Sequence, residues 1–518
     1  MKTTSRVALN AASNYVLKFV QTVLGLILVP FLLVKLGKDG YGIIGIIGVI
    51  VSTSELTDLG LRSGLSRHLR AARVKDNGRQ FNQLVSTSLI TNLGIGTILV
   101  VVLAFSAPYL LPFFKIPEHL QAEGLFLIRY YGAWKVFLTF LSPSYSALLL
   151  SLNRFDLVNG INVVSGLLRF TLLLFILSLT DWGLYGYAMA EIGAQVIGLI
   201  VIRNTARHYH PELRIIPQLY SYDALRTLFS LGGKMYIFNL ARFISIKADP
   251  IILAAFLGPS AVALYTPGAR LANMASELVN ALRSQLWTLT TDAHESNNIK
   301  NLHEVLVLGT KYTILTGSIA SVFLILYAMP IMEIWIGRTP VGEHFTTCAW
   351  VLVFWTLAYF SDYLGGTQWS VLLGMNRLNF LVCLMAVLAV TNILMSIILV
   401  GYTDLGVVGV VIPTAILSLI SRPIILWHCS RLADISPWDY IRSAYVSPLA
   451  VLVLVVVCAG VLKLILPSTT VLWLVVSATI LGLIWIAGCW WIGFDERDRT
   501  LFKSLTSRFV GSISHRAS

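Results

Sequence analysis

A chain of 518 residues with 56% hydrophobic residues, only 12% charged residues and a mean hydropathy of +0.78 lies far outside the soluble globular range. The formal net charge of +13 fits membrane topology and attraction to anionic headgroups, and nucleic acid is not an expected partner. Five cysteines, Cys348, Cys383, Cys429, Cys458 and Cys489, are scattered without a C-x-x-C or Cys–His cluster, so neither a metal site, a disulfide framework nor a cofactor is expected.

Apolar runs of about 20 residues, enough to cross a ~30 Å hydrocarbon core as helices, follow one another along the chain. They predict spans over 9–36, 41–61, 81–106, 122–150, 156–179, 183–202, 229–257, 261–282, 306–330, 345–374, 378–400, 405–428, 442–466 and 470–493. The fold class is therefore an all-α polytopic membrane protein of about 14 helices. The opening residues lack a small-residue cleavage site behind a short apolar core, so no removable signal peptide is expected. Cytoplasmic loops hold an excess of Lys and Arg. On this span count the side of the N-terminus collects most of them, among them Arg62, Arg67, Arg70, Arg73, Arg203, Arg207 and Arg422. The other side receives only Lys35, Lys38, Lys115, Arg338 and Lys463. Both termini are expected in the cytoplasm.

The chain resembles itself at an offset of 221 residues: Tyr15 matches Tyr236, Leu36-Gly37 matches Leu257-Gly258, and LRSGL from Leu61 matches LRSQL from Leu282. Pro30 and Pro250 fall one residue apart after the shift, and each is expected to kink its helix. Six helices separate the copies, so two lobes of like orientation are expected, as in parallel-repeat transporters. The predicted organisation is a six-helix lobe at 1–204, a cytoplasmic linker at 205–228, a second six-helix lobe at 229–430, two further helices within 431–494 and a cytoplasmic tail at 495–518.

Charged residues inside spans are expensive and mark function by default. Lys234 and Lys311 lie close to helix ends and are expected to snorkel to the headgroups. At mid-depth Lys18, Arg129, Lys135, Arg169, Arg242, Lys247 and Arg270 outnumber Glu191, Asp249 and Asp362. The interior is therefore expected to be net cationic and suited to an anion, such as a phosphate or diphosphate that guanidinium groups grip in pairs. The predicted substrate-binding set is Lys18, Arg129, Arg169, Arg242, Lys247, Arg270 and Asp362; Asp249 and Asp362 are candidates for carrying a coupling ion. Aromatic residues beside them, Tyr130, Tyr131 and Trp134 and the run WTLAYFSDYLGGTQW around Asp362, suit sugar rings or interfacial anchoring.

The stretch NYVLKFVQTVLGLILVPFLLVKLGKDGYGIIGIIGVIVSTSELTDLGLRSGLSRHL resembles the N-terminal hairpin of Wzx-type polysaccharide and O-antigen flippases. These belong to the multidrug/oligosaccharidyl-lipid/polysaccharide (MOP) superfamily. The LGKDGYG turn and DLGLRSGLSRHL carry the resemblance most clearly. It implies a fourteen-helix flippase, not an enzyme, that moves polyprenyl-diphosphate-linked oligosaccharide repeat units across the membrane by alternating access through a cationic cavity. The product would feed O-antigen, capsule or exopolysaccharide synthesis, with a polysaccharide polymerase and a chain-length regulator as implied partners. In lipid-flipping relatives helices 13 and 14 form a groove for the lipid tail; the matching segments here are 440–466 and 470–491. A drug or cation antiporter of the same superfamily would want an anionic cavity. A membrane polymerase or ligase would want catalytic residues on a large outer loop, and the 107–121 segment holds no Ser/His/Asp set.

Overall fold

The computed structural model describes residues 3–54, 61–74, 78–213, 215–230, 233–295, 299–375, 378–466, 470–496 and 498–500. Among them every long element is helical. Ten runs are long and apolar enough to cross a membrane. One of these, Ala12–Ser52, is 41 residues long and covers the first two expected spans. Helices also occupy the three remaining expected spans, at Gly233–Leu257, Pro259–Glu295 and Phe345–Leu364. With no water in the hydrocarbon core, each backbone amide must find its partner inside its own segment, which is why these runs close as helices.

The chain divides into two compact units, the first formed by Met1–Leu264 with Thr339–Val341 and Val382–Val410. Helix α1 (Thr3–Ser54) runs through Pro30 and breaks at Gly37, whose φ of 71° and ψ of 178° suit glycine alone. Then come α2 (Leu61–Val74), α3 (Gly78–Phe113), α4 (Gln121–Phe126), α5 (Ala133–Ser151), α6 (Phe155–Leu179), α7 (Gly183–Tyr209), α8 (Tyr222–Ser230) and α9 (Gly233–Leu257). Helix α9 ends at Gly258, whose φ is +87° and whose N–H donates to the carbonyls of Leu253 and Ala254, the usual glycine termination of a helix. Helix α10 (Pro259–Glu295) starts directly afterwards. The two glycines matched by the 221-residue repeat thus both take positive φ, and their turns meet: Ser260 Oγ donates to Asp39 Oδ1. A Cβ on Gly42 would lie 1.9 Å from the Pro259 carbonyl oxygen, so only glycine permits this approach.

The second unit comprises Tyr265–Arg338, Gly342–Leu381 and Val411–Ser518. Its helices include α11 (Ile299–Leu326), α12 (Ala328–Ile336), α13 (Phe345–Leu364), α14 (Gln368–Gly374), the start of α15 (Leu378–Tyr402), α16 (Val411–Leu432), α17 (Pro437–Ala444), α18 (Val446–Ile465) and α19 (Val471–Gly488). Helices α18 and α19 bury Val451, Val455, Ala459 and Leu481 against Leu315, Val322 and Tyr327. Their other faces leave large apolar side chains exposed, Leu464, Leu472 and Leu483 among them, as a lipid-facing surface requires.

Two expectations need correction here. The span expected over 345–374 is broken at Gly365–Thr367, where Gly366 has φ +49° and Thr367 Oγ1 donates to the carbonyl oxygens of Val305 and Leu306. Lys311 does not snorkel: it is 1% exposed and donates to Asp495 at 2.8 Å and Asp498 at 2.7 Å. The chain beyond α19 folds back on α11, and Tyr312 donates to the other oxygen of Asp498 at 2.6 Å. Burial alone would raise the Asp498 carboxyl, but these two hydrogen bonds outweigh it and hold it below its ordinary value of 3.8.

Candidate functional site

Three helices of the first unit build one charged layer. Between α4 and α5 the chain makes a π-helical turn, Leu127–Gly132; such turns insert a residue and recur at functional sites. The inserted register carries Arg129, Tyr130 and Tyr131 and sets the angle from which Lys135 leaves α5. Lys135 Nζ donates to Tyr131 Oη at 2.9 Å and to Glu191 Oε2, while Arg169 Nε of α6 donates to Glu191 Oε1. Tyr187 packs edge-on to Tyr131, with ring centroids 5.8 Å apart. One carboxylate therefore serves two cations, and the layer carries a net charge of +1.

Exposure within the layer is unequal. The Glu191 side chain is 3% exposed, against 23% for Lys135 and 40% for Arg169. The acid is buried behind the bases, so an approaching ligand meets positive charge with donors still to offer. Arg129, half-buried on the π turn, has no ion-pair partner among the described residues. Gln195, one turn beyond Glu191 on α7, closes the layer on one side by donating to the Lys135 carbonyl and to Thr139 Oγ1 at 3.1 Å.

The other predicted residues lie elsewhere. Lys18 is exposed on α1, and on α9 Lys247 is half-buried and Asp249 fully buried. Arg242 belongs to α9 by its backbone, and its side chain lies outside the described residues. Arg270, on α10, belongs to the second unit, where it is half-buried with no ion-pair partner among the described residues. Asp362 of α13 accepts from Arg422 at 3.2 Å. Arg422, counted by sequence among cytoplasmic residues, stands in the middle of α16, and its guanidinium lies 5.9 Å from the Trp369 ring centre. In the aromatic run, Trp355 Nε1 donates to Tyr265 Oη and Tyr359 Oη to Asn273 Oδ1, each at 3.0 Å, so these two rings serve packing within the second unit. Sequence reasoning missed Glu191 as the hub on which Lys135 and Arg169 converge. Their spacing held a signal: Lys135–Thr139 and Glu191–Gln195 repeat a charged residue and a neutral polar one at i and i+4.

The chain is similar to known membrane proteins. Over 329 residues it is 19% identical to "Uncharacterized membrane protein EpsK" of Bacillus subtilis (strain 168), covering 64% of this chain and 65% of that protein, just under two thirds of its length. Over 328 residues it is 23% identical to the "Putative O-antigen transporter" of Shigella flexneri, covering 60% of this chain and 71% of that one. In fold it is similar to the lipid II flippase MurJ in an inward closed conformation, with a TM-score of 0.71 at 14% identity over 93% of this chain and 98% of that chain. It is also similar to an inward-facing MATE family multidrug resistance transporter of the MOP superfamily, with a TM-score of 0.67 at 16% identity over 82% and 99% of the two chains. The family model described as "Polysaccharide biosynthesis protein" matches residues 35–340, more than half of the sequence, and the chain belongs to that family, as a polytopic membrane protein of the MOP fold.

Proposed function

We propose that the protein is a flippase that carries polyprenyl-diphosphate-linked oligosaccharide repeat units from the cytoplasmic to the outer leaflet of the bacterial inner membrane, with both termini in the cytoplasm. The observation that supports this most directly is the Lys135–Glu191–Arg169 layer, in which two bases share one buried acid and face outward with positive charge. A diphosphate needs charge-assisted donors to leave water, and a planar guanidinium beside an ammonium offers several. Arg129 on the adjoining π turn adds an uncommitted cation. The polyprenyl chain can stay in lipid while the charged head crosses, and alternating access of two lobes does this without covalent chemistry. Lys18, Arg242, Lys247 and Arg270 would escort the head group elsewhere on its route, Asp249 or Asp362 would carry any coupling ion, and α18 and α19 would contact the lipid tail. Names among the relatives and structural neighbours, an O-antigen transporter and a lipid II flippase, agree with this substrate class.

The test is a deletion strain without a second flippase for the same substrate. It should keep synthesising lipid-linked repeat units, accumulate them on the inner leaflet and lose surface polymer. Surface polymer at the parental level would refute the function.

A further inference from the structure

Directly beneath the charged layer, between α5, α6 and α7, lies a cavity of about 520 Å³, within the range of small-molecule sites. Its geometry follows from helix spacing. One turn toward the cytoplasmic ends, about 6 Å along each axis, Lys135 is succeeded by Thr139, Arg169 by Ser165 and Glu191 by Gln195, all three lining the cavity. A charged layer thus stands on a neutral polar one, and Gln195 binds the two together through the Lys135 carbonyl and Thr139 Oγ1.

The lining contains no charged side chain, yet several of its polar groups are uncommitted. Gln195 Oε1 is buried with no hydrogen-bond partner among the described residues. The hydroxyls of Ser142 and Ser165 and the amide of Asn162, which are not buried, also line the cavity and are engaged by no described group. Pro143, also in the wall, removes the helical donor to the Thr139 carbonyl. Gly198 keeps the space open: a Cβ there would lie 2.8 Å from Ser165 Oγ. Uncommitted donors and acceptors repel an acyl chain, because each costs free energy when faced with hydrocarbon. Absence of charge gives an ion no counter-charge. A neutral polyhydroxylated ring, with hydroxyls for the amides and serines and C–H faces for the apolar wall, satisfies both conditions.

We propose that this cavity is a glycosyl subsite that takes a neutral sugar residue next to the phosphate held by Lys135 and Arg169. The proposal rests on the flippase reading and adds to it a place where the sugar, and not only the phosphate, is recognised. One turn of helix, about 6 Å, is the separation expected between a phosphate and the ring it is esterified to.

The experiment uses the full chain purified in a detergent without a sugar headgroup. Glucose, galactose and N-acetylglucosamine are the sugar probes, read by saturation-transfer difference NMR; inorganic pyrophosphate is the anion probe, read by calorimetry. At least one sugar should give a signal at millimolar concentration that falls at least tenfold in N162A and in S165A/Q195L, while pyrophosphate affinity changes less than twofold in N162A. Asn162 is exposed, so N162A leaves the fold intact should S165A/Q195L not survive purification. R169A should do the reverse, weakening pyrophosphate and sparing the sugar. No sugar signal in the wild type, or a signal unchanged in both variants, overturns the subsite. Failure of pyrophosphate alone to bind, with sugar binding lost in the variants, refutes the phosphate reading and leaves the sugar site standing.

Discussion

Removing one base from the charged layer should affect transport far more than folding, and removing both should affect folding as well. In Arg169→Ala, Glu191 keeps the hydrogen bond from Lys135, so its carboxylate remains paired and the layer falls from +1 to neutral. In Lys135→Ala, Arg169 plays the same part. Neither change strands a buried charge, and the lost contacts belong to side chains that are 23% and 40% exposed. Stability should therefore drop by no more than the ~0.5–1.5 kcal/mol of an ordinary hydrogen bond. The double variant leaves a carboxylate that is 3% exposed with neither of its cations, for which about 3–5 kcal/mol is the usual penalty. The stability effect should thus be strongly non-additive, with a coupling of about 2 kcal/mol or more, within the range for residues sharing one partner. The assay is thermal stability of the purified variants together with surface polysaccharide per unit of membrane-inserted protein. Either single variant as unstable as the double would refute the shared-acid arrangement. Full transport in both stable singles would refute its role in binding.

Lys311→Met should destabilise the protein by about 3–5 kcal/mol by leaving Asp498, whose side chain is 2% exposed, without its cation, and Lys311→Met/Asp498→Leu should recover most of this in a thermal melt; no recovery would mean that the contact is not electrostatic. His210, whose ring lies tilted at 42° to that of Phe81 with centroids 4.4 Å apart, is held below its ordinary value of 6.5 chiefly by burial, which Glu212 opposes and Arg73 reinforces. Its contribution to stability is accordingly present above the unfolded value near 6.5 and lost as pH falls through the lower folded value, so the melting temperature should drop from pH 7.5 to 5 and drop less in His210→Phe. Reporter fusions at Arg73 should read as cytoplasmic and those at Lys115 and Arg338 as external; a cytoplasmic signal at Lys115 would break the topology near its root.

The spans were legible because a 20-residue apolar run has one inexpensive conformation in lipid. The paired turns were legible too: Leu36-Gly37 and Leu257-Gly258 read as a repeat, and the backbone carries a positive φ at both glycines. The charged layer was only half legible. Sequence shows that Lys135, Arg169 and Glu191 lie inside spans, but which faces of α5, α6 and α7 meet depends on side-chain packing and on the π turn at Leu127–Gly132, for which no residue pattern was a signal. Lys311 misled because its partners lie 184 and 187 residues away, beyond any local reading of helix ends. The cavity under the layer was invisible for a related reason: Thr139, Ser165 and Gln195 are common helix residues, and only their convergence gives them meaning.

The central claim is that a cationic layer at mid-span moves a diphosphate-linked sugar across the membrane. Its most direct measurement is the initial rate at which purified protein in liposomes transfers a polyprenyl-diphosphate-linked saccharide between leaflets, scored by the fraction accessible to an external glycosidase. The wild type should raise the rate well above protein-free liposomes, and Lys135→Ala and Arg169→Ala should each lower it at least tenfold at equal incorporation. A wild-type rate no faster than protein-free liposomes, or variants as fast as the wild type, would contradict the account.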